Sequence, residues 1–334
     1  MGISNLKSRI DEEISRKLDI KSFSSTTTTL HIADLGCSVG PETYSAMQDI
    51  VESIELKYIS EGLNSQIPEF LVFFNDFSSN DFNTLFSALS PNKKYFAAAV
   101  PGSFYQRLFA ERSLHFVYSS HSLQWLSKVP ADLVDQNSLA WNKGMVFYTN
   151  APKAVVEAYS AQFAEDMDSF LCARAEELVR GGMMTLLMPG LSDETPLSEC
   201  SHCMLYDLLG SCLLEMTQMG LVSEEKVDSF NYPMYIASPK ELQGLVEKNK
   251  SFIIESMEMV SPLTMEDEMP SAQVFTMQLR DGMQKPIKEH FGAEIDLDDL
   301  FDRFSKKIAD SSHLIEENYK KPNHLFMVLL KLGD

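Results

Sequence analysis

The chain is short of basic residues, of cysteine and of long apolar runs, and each shortage removes a class of function. Twenty-eight Lys and Arg stand against 48 Asp and Glu, a formal charge of −20. Affinity for a phosphate backbone rests on clustered Lys and Arg, so no nucleic-acid partner is expected. The five cysteines, Cys37, Cys172, Cys200, Cys203 and Cys212, are odd in number and irregularly spaced, which argues against a disulfide framework. Cys200-Ser201-His202-Cys203 lacks the second C-x-x-C pair that a structural zinc site needs. No apolar run is long enough to span a bilayer, and no basic, apolar and small-residue succession marks a secretory leader. No membrane partner is therefore expected, and the cytoplasm is the expected compartment. Internal repeats and long low-complexity segments are also lacking.

What is present is a sizeable apolar fraction, 44% over 334 residues, enough for a core in one or two domains. The most telling stretch is Leu30-His31-Ile32-Ala33-Asp34-Leu35-Gly36-Cys37-Ser38-Val39-Gly40-Pro41, an apolar strand that runs into a small-residue turn carrying an acid. A buried parallel strand reads as a continuous apolar run, and its carboxyl end opens on the crevice where doubly wound sheets bind ligands. The dinucleotide spacing G-x-G-x-x-G is absent, which disfavours a nicotinamide cofactor. S-adenosylmethionine suits the turn better, having no pyrophosphate to cradle. The alternative is a plain strand end with a tight turn.

A second apolar strand, Phe70-Leu71-Val72-Phe73-Phe74-Asn75-Asp76-Phe77, also ends in an acid. From that position Asp76 can accept hydrogen bonds from both ribose hydroxyls of an adenosyl group. The alternative role is a helix cap, for which Asp81, adjacent to the next helical run, is better placed. Strand and helix signals alternate to about Met188, with a long helix over Ala154–Arg180 stopped by Gly181-Gly182 and a strand over Met183–Met188. From Pro189 to Asp281 the pattern reads as a mostly helical cap, with an apolar helix at Leu205–Met219 and a short one starting at Ser238-Pro239. The methionine-rich stretch Met257–Met283 reads as core or as an adaptable pocket wall. A helix at Leu279–Phe291, a charged helix at Leu297–Tyr319 and a strand at Leu325–Leu332 complete the chain. The expected fold is α/β, a doubly wound, mostly parallel sheet with a helical cap, divided into residues 1–188, 189–281 and 282–334.

Two further segments, Val100-Pro101-Gly102-Ser103-Phe104-Tyr105 and Leu114 to Ser127 with its Ser119-Ser120-His121-Ser122-Leu123-Gln124-Trp125 centre, complete a recognisable order of motifs. With Asn142-Lys143-Gly144, Arg174-Ala175-Glu176-Glu177-Leu178, Gly181-Gly182-Met183-Met184, Glu225 to Asn231 and His290-Phe291-Gly292, the chain resembles the SABATH family of plant methyltransferases from about Asp34 to its end. The resemblance implies a class I, Rossmann-like methyltransferase fold and a homodimer. It also implies S-adenosylmethionine as donor, acting on small carboxylic acids such as salicylate, benzoate, jasmonate or indoleacetate, or on ring nitrogens of xanthines. It places Asp34, Cys37, Asp76, Phe77, Ser103, Phe104 and Ser120 against the cofactor, with Glu42 beside them, and His121, Gln124, Trp125 and Tyr206 against the substrate. A structural Mg2+ is implied at Asn142, Asp228, Asn231 and the Phe230 carbonyl.

Three features depart from the family pattern. Members begin with a glycine-rich segment, Ser-Tyr and an Asn-Ser…Gln stretch that closes over the cofactor, whereas this sequence starts at Met1-Gly2-Ile3-Ser4 and already reads as the following amphipathic helix at Lys7–Leu18. Glu42 stands where an asparagine is common, and Tyr206 where a substrate-facing tryptophan is common. The expected reaction is direct displacement, which needs no Ser-His-Asp or paired-carboxylate device because a carboxylic acid, with a pKa near ~4, is already ionised at neutral pH. Carboxyl O-methylation is the leading expectation, N-methylation of a xanthine-like or nicotinate-like heterocycle the second, and a catalytically silent module the third.

Overall fold

Alternating strand residues feed two cores, one on each face of a single sheet. Ala33, Leu35 and Val117 join one cluster, while Leu30, Ile32, Phe116 and Tyr118 join the other. That division is the period-two geometry of buried strands between two helical layers. The computed structural model describes residues 3–24, 28–261 and 267–333. Ser25–Thr27 of the polar run before the first strand and residues 262–266 of the methionine-rich stretch lie outside them.

The strands are β1 (Thr29–Leu35), β2 (Glu69–Asp76), β3 (Phe96–Pro101), β4 (Leu114–Ser120), β5 (Leu178–Pro189), β6 (Phe252–Val260) and β7 (His324–Lys331). Their order is β3-β2-β1-β4-β5-β7-β6, parallel from β3 to β5, with β7 antiparallel to both of its neighbours. The expectation of a doubly wound, mostly parallel sheet is met. The helices are α1 (Ile3–Lys17), α2 (Lys21–Ser24), α3 (Pro41–Ser60), α4 (Phe82–Ala88), α5 (Lys153–Glu177), α6 (Ser201–Gln218), α7 (Glu224–Ser229), α8 (Pro239–Asn249), α9 (Ala272–Phe291), α10 (Leu297–Asp310) and α11 (Ser312–Tyr319). Among the described residues no helix is long and apolar enough to cross a membrane.

Local chemistry sets several boundaries. Asp81 caps α4 by accepting the Thr84 N–H at 3.0 Å, and Ser238 with Glu241 forms a reciprocal capping box on α8. Three expectations change. Gly181-Gly182 does not stop the long helix; α5 ends at Glu177 because the Glu176 and Glu177 carbonyls accept from Arg112 and Ser113, and Leu178 pairs directly with β4. The glycines instead lie inside β5 where its register against β4 shifts, Gly181 at φ +74°. Second, the region 189–281 contributes β6 to the sheet edge, a strand that a half-buried mixture of Ile, Met and Glu disguises. Third, the charged helix is two, since Ser311 ends α10 and its carbonyl opens α11 by accepting the Ile315 N–H.

Candidate active site

Winding reverses between β1 and β4, and the crevice at the carboxyl ends of these strands is where an open parallel sheet receives a ligand. Hydrogen bonds tie the segments leaving the strands into one unit there. Ser119 Oγ donates to the Leu35 carbonyl at 2.9 Å and Ser122 Oγ to the Gly36 carbonyl at 3.1 Å. The Gly36 and Cys37 N–H groups both donate to the Asn75 carbonyl at 2.9 Å, and the buried Asn75 amide donates to the Val100 and Gly102 carbonyls at 2.7 and 3.0 Å. The turns after β1, β2 and β3 therefore move together.

The two acids read from the sequence both stand in this crevice, in different environments. Asp34 is 2% exposed, and burial pushes its carboxyl up to about 7 although the Thr43 hydroxyl donates to it at 3.1 Å; nearby Asp76 adds to the rise. Asp76 is half-buried and accepts the Ser38 N–H at 2.8 Å and the Phe77 N–H at 2.7 Å, one on each oxygen. Each oxygen retains a lone pair for a ligand hydroxyl. Burial, with Asp34 and Asp76 nearby, pushes the Cys37 thiol up, so it is a packing group and not a nucleophile. The buried Phe104 ring lies over Gly36, Ser103 Oγ accepts the Tyr105 N–H at 3.3 Å, and Phe77 is an exposed rim.

A cavity of about 590 Å³ adjoins the crevice, and Ser120, His121 and Gln124 from the end of β4 line it together with Glu42 and Tyr206. The sequence reading missed much of the rest of its wall, including Lys7, Ile10 and Asp11 from α1, Asp49 from α3, His202 and Leu205 from α6, Phe275, Gln278 and Leu279 from α9, and His324 from β7. Ser120 Oγ and His121 Nδ1 are 2.9 Å apart. Gln124 donates its amide to the His121 carbonyl at 2.7 Å, while its Oε1 is buried away from the cavity space and has no hydrogen-bond partner among the described residues. Among the described residues the Tyr206 hydroxyl meets the Met234 thioether, at 3.4 Å. Trp125 is half-buried and does not line the cavity; its ring packs where a Cβ on Gly282 of α9 would come within 3.2 Å.

A buried ion pair holds the loop that carries Ser103 and Phe104. Arg174 and Glu177, both fully buried in the last turn of α5, meet at 2.7 Å. The guanidinium also donates to the Phe104 and Gln106 carbonyls at 2.9 and 3.0 Å, and Glu177 Oε1 accepts the N–H groups of Leu108 and Phe109. The sequence signal for this role was two opposite charges three residues apart in an apolar helix.

The groups implied for a metal do converge. Asn142 donates to Asn231 Oδ1 at 2.7 Å, and Asp228 accepts the Gly144 N–H at 2.8 Å. The Asn231 oxygen and one Asp228 oxygen are thereby engaged, and no group of three or more His, Cys, Asp or Glu suited to a metal occurs among the described residues. Mg2+ demands six oxygens in near-ideal geometry at roughly 2.1 Å. The unpaired, buried Asn142 Oδ1 is one such donor, but the set as arranged does not fit the ion.

The chain that forms this crevice, with an acid at each strand end and a cavity beside it, is matched by a family model described as SAM dependent carboxyl methyltransferase over residues 1–332. The chain belongs to this family, the SABATH methyltransferases. Loganic acid O-methyltransferase of Catharanthus roseus is 43% identical over 99% of this chain and 89% of its own length. Farnesoic acid carboxyl-O-methyltransferase of Arabidopsis thaliana is 44% identical over 76% of this chain and 72% of its own, and a 3,7-dimethylxanthine N-methyltransferase of Camellia sinensis is 37% identical over 91% and 84%. A solved structure, loganic acid methyltransferase with SAH, matches with a TM-score of 0.94 at 43% identity, covering 99% of this chain and 93% of that one. This methyltransferase thus has the class I fold and uses S-adenosylmethionine.

Proposed function

We propose that this methyltransferase acts on the carboxylate of a small organic acid held in the cavity, with the cofactor in the crevice. One observation carries the reading: Ser120 and His121, at the switch point, line the cavity, so the crevice and the cavity share a wall. S-adenosylmethionine, when bound, supplies the methyl group that a carboxylate oxygen takes by direct displacement. Asp76 accepts the ribose hydroxyls, while Cys37, Phe77, Ser103 and Phe104 enclose the adenosyl group. Glu42 supplies negative charge at the crevice for a cationic ligand, and such a cation draws the Asp34 carboxyl, raised to about 7 by burial, into its charged form. Tyr206 holds the carboxylate, exchanging a weak thioether acceptor for a charged one. His121 is exposed on the cavity wall, and no base is required for an acid already ionised. Holding donor and acceptor in line is the main task and lowers the barrier by several kcal/mol.

Asp76→Ala should weaken cofactor binding by about 1.5–3 kcal/mol, the range for hydrogen bonds to a charged group, while the sheet stays folded. Titration calorimetry with S-adenosylmethionine checks it, and unchanged affinity in a folded variant would return Asp76 to a turn-holding role. The activity is tested with methyl-labelled cofactor and a panel of loganic acid, farnesoic acid and xanthines. Label entering xanthines alone would replace the carboxyl reading with N-methylation, and absence of cofactor binding would leave the silent module. The same reading takes the protein as a cytoplasmic homodimer without nucleic-acid or membrane partners. Light scattering on the purified chain checks the assembly.

A further inference from the structure

Three imidazoles from distant parts of the chain meet on one side of the cavity, and methyl transfer as described uses none of them as a base. His121 follows β4, His202 lies in the first turn of α6, and His324 opens β7; the His324 ring centroid is 5.0 Å from each of the other two, edge to face. Hydrogen bonds around Asn323 decide which atom His324 offers. The Asn323 amide nitrogen donates to the Tyr319 carbonyl at 3.2 Å and to Ser201 Oγ at 2.9 Å, which orients the side chain and leaves its oxygen 2.6 Å from His324 Nδ1. An amide oxygen only accepts, so Nδ1 carries the proton, and in the neutral ring Nε2 is a bare acceptor. Burial, with His202 and His121 close by, holds the His324 imidazole well below its ordinary pKa and so keeps it neutral.

A carboxylate brings acceptors alone and leaves Nε2 unsatisfied. A hydrocarbon tail would leave it desolvated and unpaired, which costs free energy. We propose that His324 is a specificity-determining residue that selects acids bearing a hydroxyl group in addition to the methylated carboxylate, the hydroxyl donating to His324 Nε2. This rests on the reading of the cavity as the acid site.

The test compares kcat/KM of the full chain for loganic acid, which is rich in hydroxyls, and farnesoic acid, a hydrocarbon chain. The wild type should favour loganic acid by about tenfold or more, since a site built to pair a hydroxyl discriminates strongly against its absence. His324→Phe should lower that ratio by about tenfold, and His324→Gln, which retains an acceptor, should keep most of it. His324→Leu reads the same position should the phenylalanine variant fail to fold, and it too should lower the ratio. A ratio unmoved in the folded variants, with both acids losing equally, would overturn the selectivity while the acid site stands. Transfer to xanthine with neither acid methylated would overturn the acid site and the selectivity together.

Discussion

Glu177→Ala is expected to lower the unfolding free energy by about 3–5 kcal/mol, the cost of leaving one partner of a buried ion pair uncompensated. Both side chains are fully buried, and burial already works against the Arg174 charge that Glu177 sustains. The same substitution strips the Leu108 and Phe109 N–H groups of their acceptor. Domains of ordinary stability have about 5–15 kcal/mol in all, so the loss should be plain in urea unfolding at pH 7. The double variant Arg174→Met with Glu177→Leu should recover part of it, because an apolar pair removes the stranded charge. Recovery should fall short, since the Phe104 and Gln106 carbonyls lose their donors as well. A loss below about 1 kcal/mol for the single variant would contradict the reading of the pair as the clamp on this loop.

Gly36→Ala is expected to cost about 2–5 kcal/mol and to weaken cofactor binding with it. Two penalties combine. Gly36 sits at φ +81°, a left-handed conformation that costs an L-residue about 1–2 kcal/mol. A Cβ there would fall 2.0 Å from Ser122 Oγ and 2.4 Å from Ser122 Cβ, and Ser122 is itself tied to the Gly36 and Ser120 carbonyls. Relieving that overlap requires the backbone to shift, at about 1–3 kcal/mol, and moves the turn that carries Cys37 and Ser38. Thermal melts and calorimetry with S-adenosylmethionine read the two effects. Adding Ser122→Gly should restore the overlap share and leave the conformational share, whereas a double variant no better than the single would refute the steric account.

Much of the crevice was readable because its information is local. Asp34 and Asp76 end apolar runs, Gly36 opens a turn, and Asp81 precedes a helix; each signal lies within a few residues of the group it places. The surroundings of the cavity residues were less legible. Gln124 was open as donor or acceptor until the His121 carbonyl, three residues back, was seen to take its amide. Trp125 belongs to the same motif, and its ring packs against α9 beside Gly282. The role of Arg174 and Glu177 was hidden for the same reason, since their partners lie some seventy residues back in the loop after β3.

Periodicity and turn chemistry in the chain were enough to establish the alternating strands and helices, the acids at the strand ends and, through the order of motifs, the family. These features report which face a residue turns to and what its immediate backbone needs, and both are properties of neighbouring residues. The cavity was decided by packing: α1, α6, α9 and the start of β7 each contribute a wall, and β7 joins the sheet one strand from its edge by inserting antiparallel between β5 and β6. His121, His202 and His324 meet only because of that insertion. Contacts between residues so far apart in the chain arise from the burial of whole elements against one another, and no local pattern encodes which elements will meet.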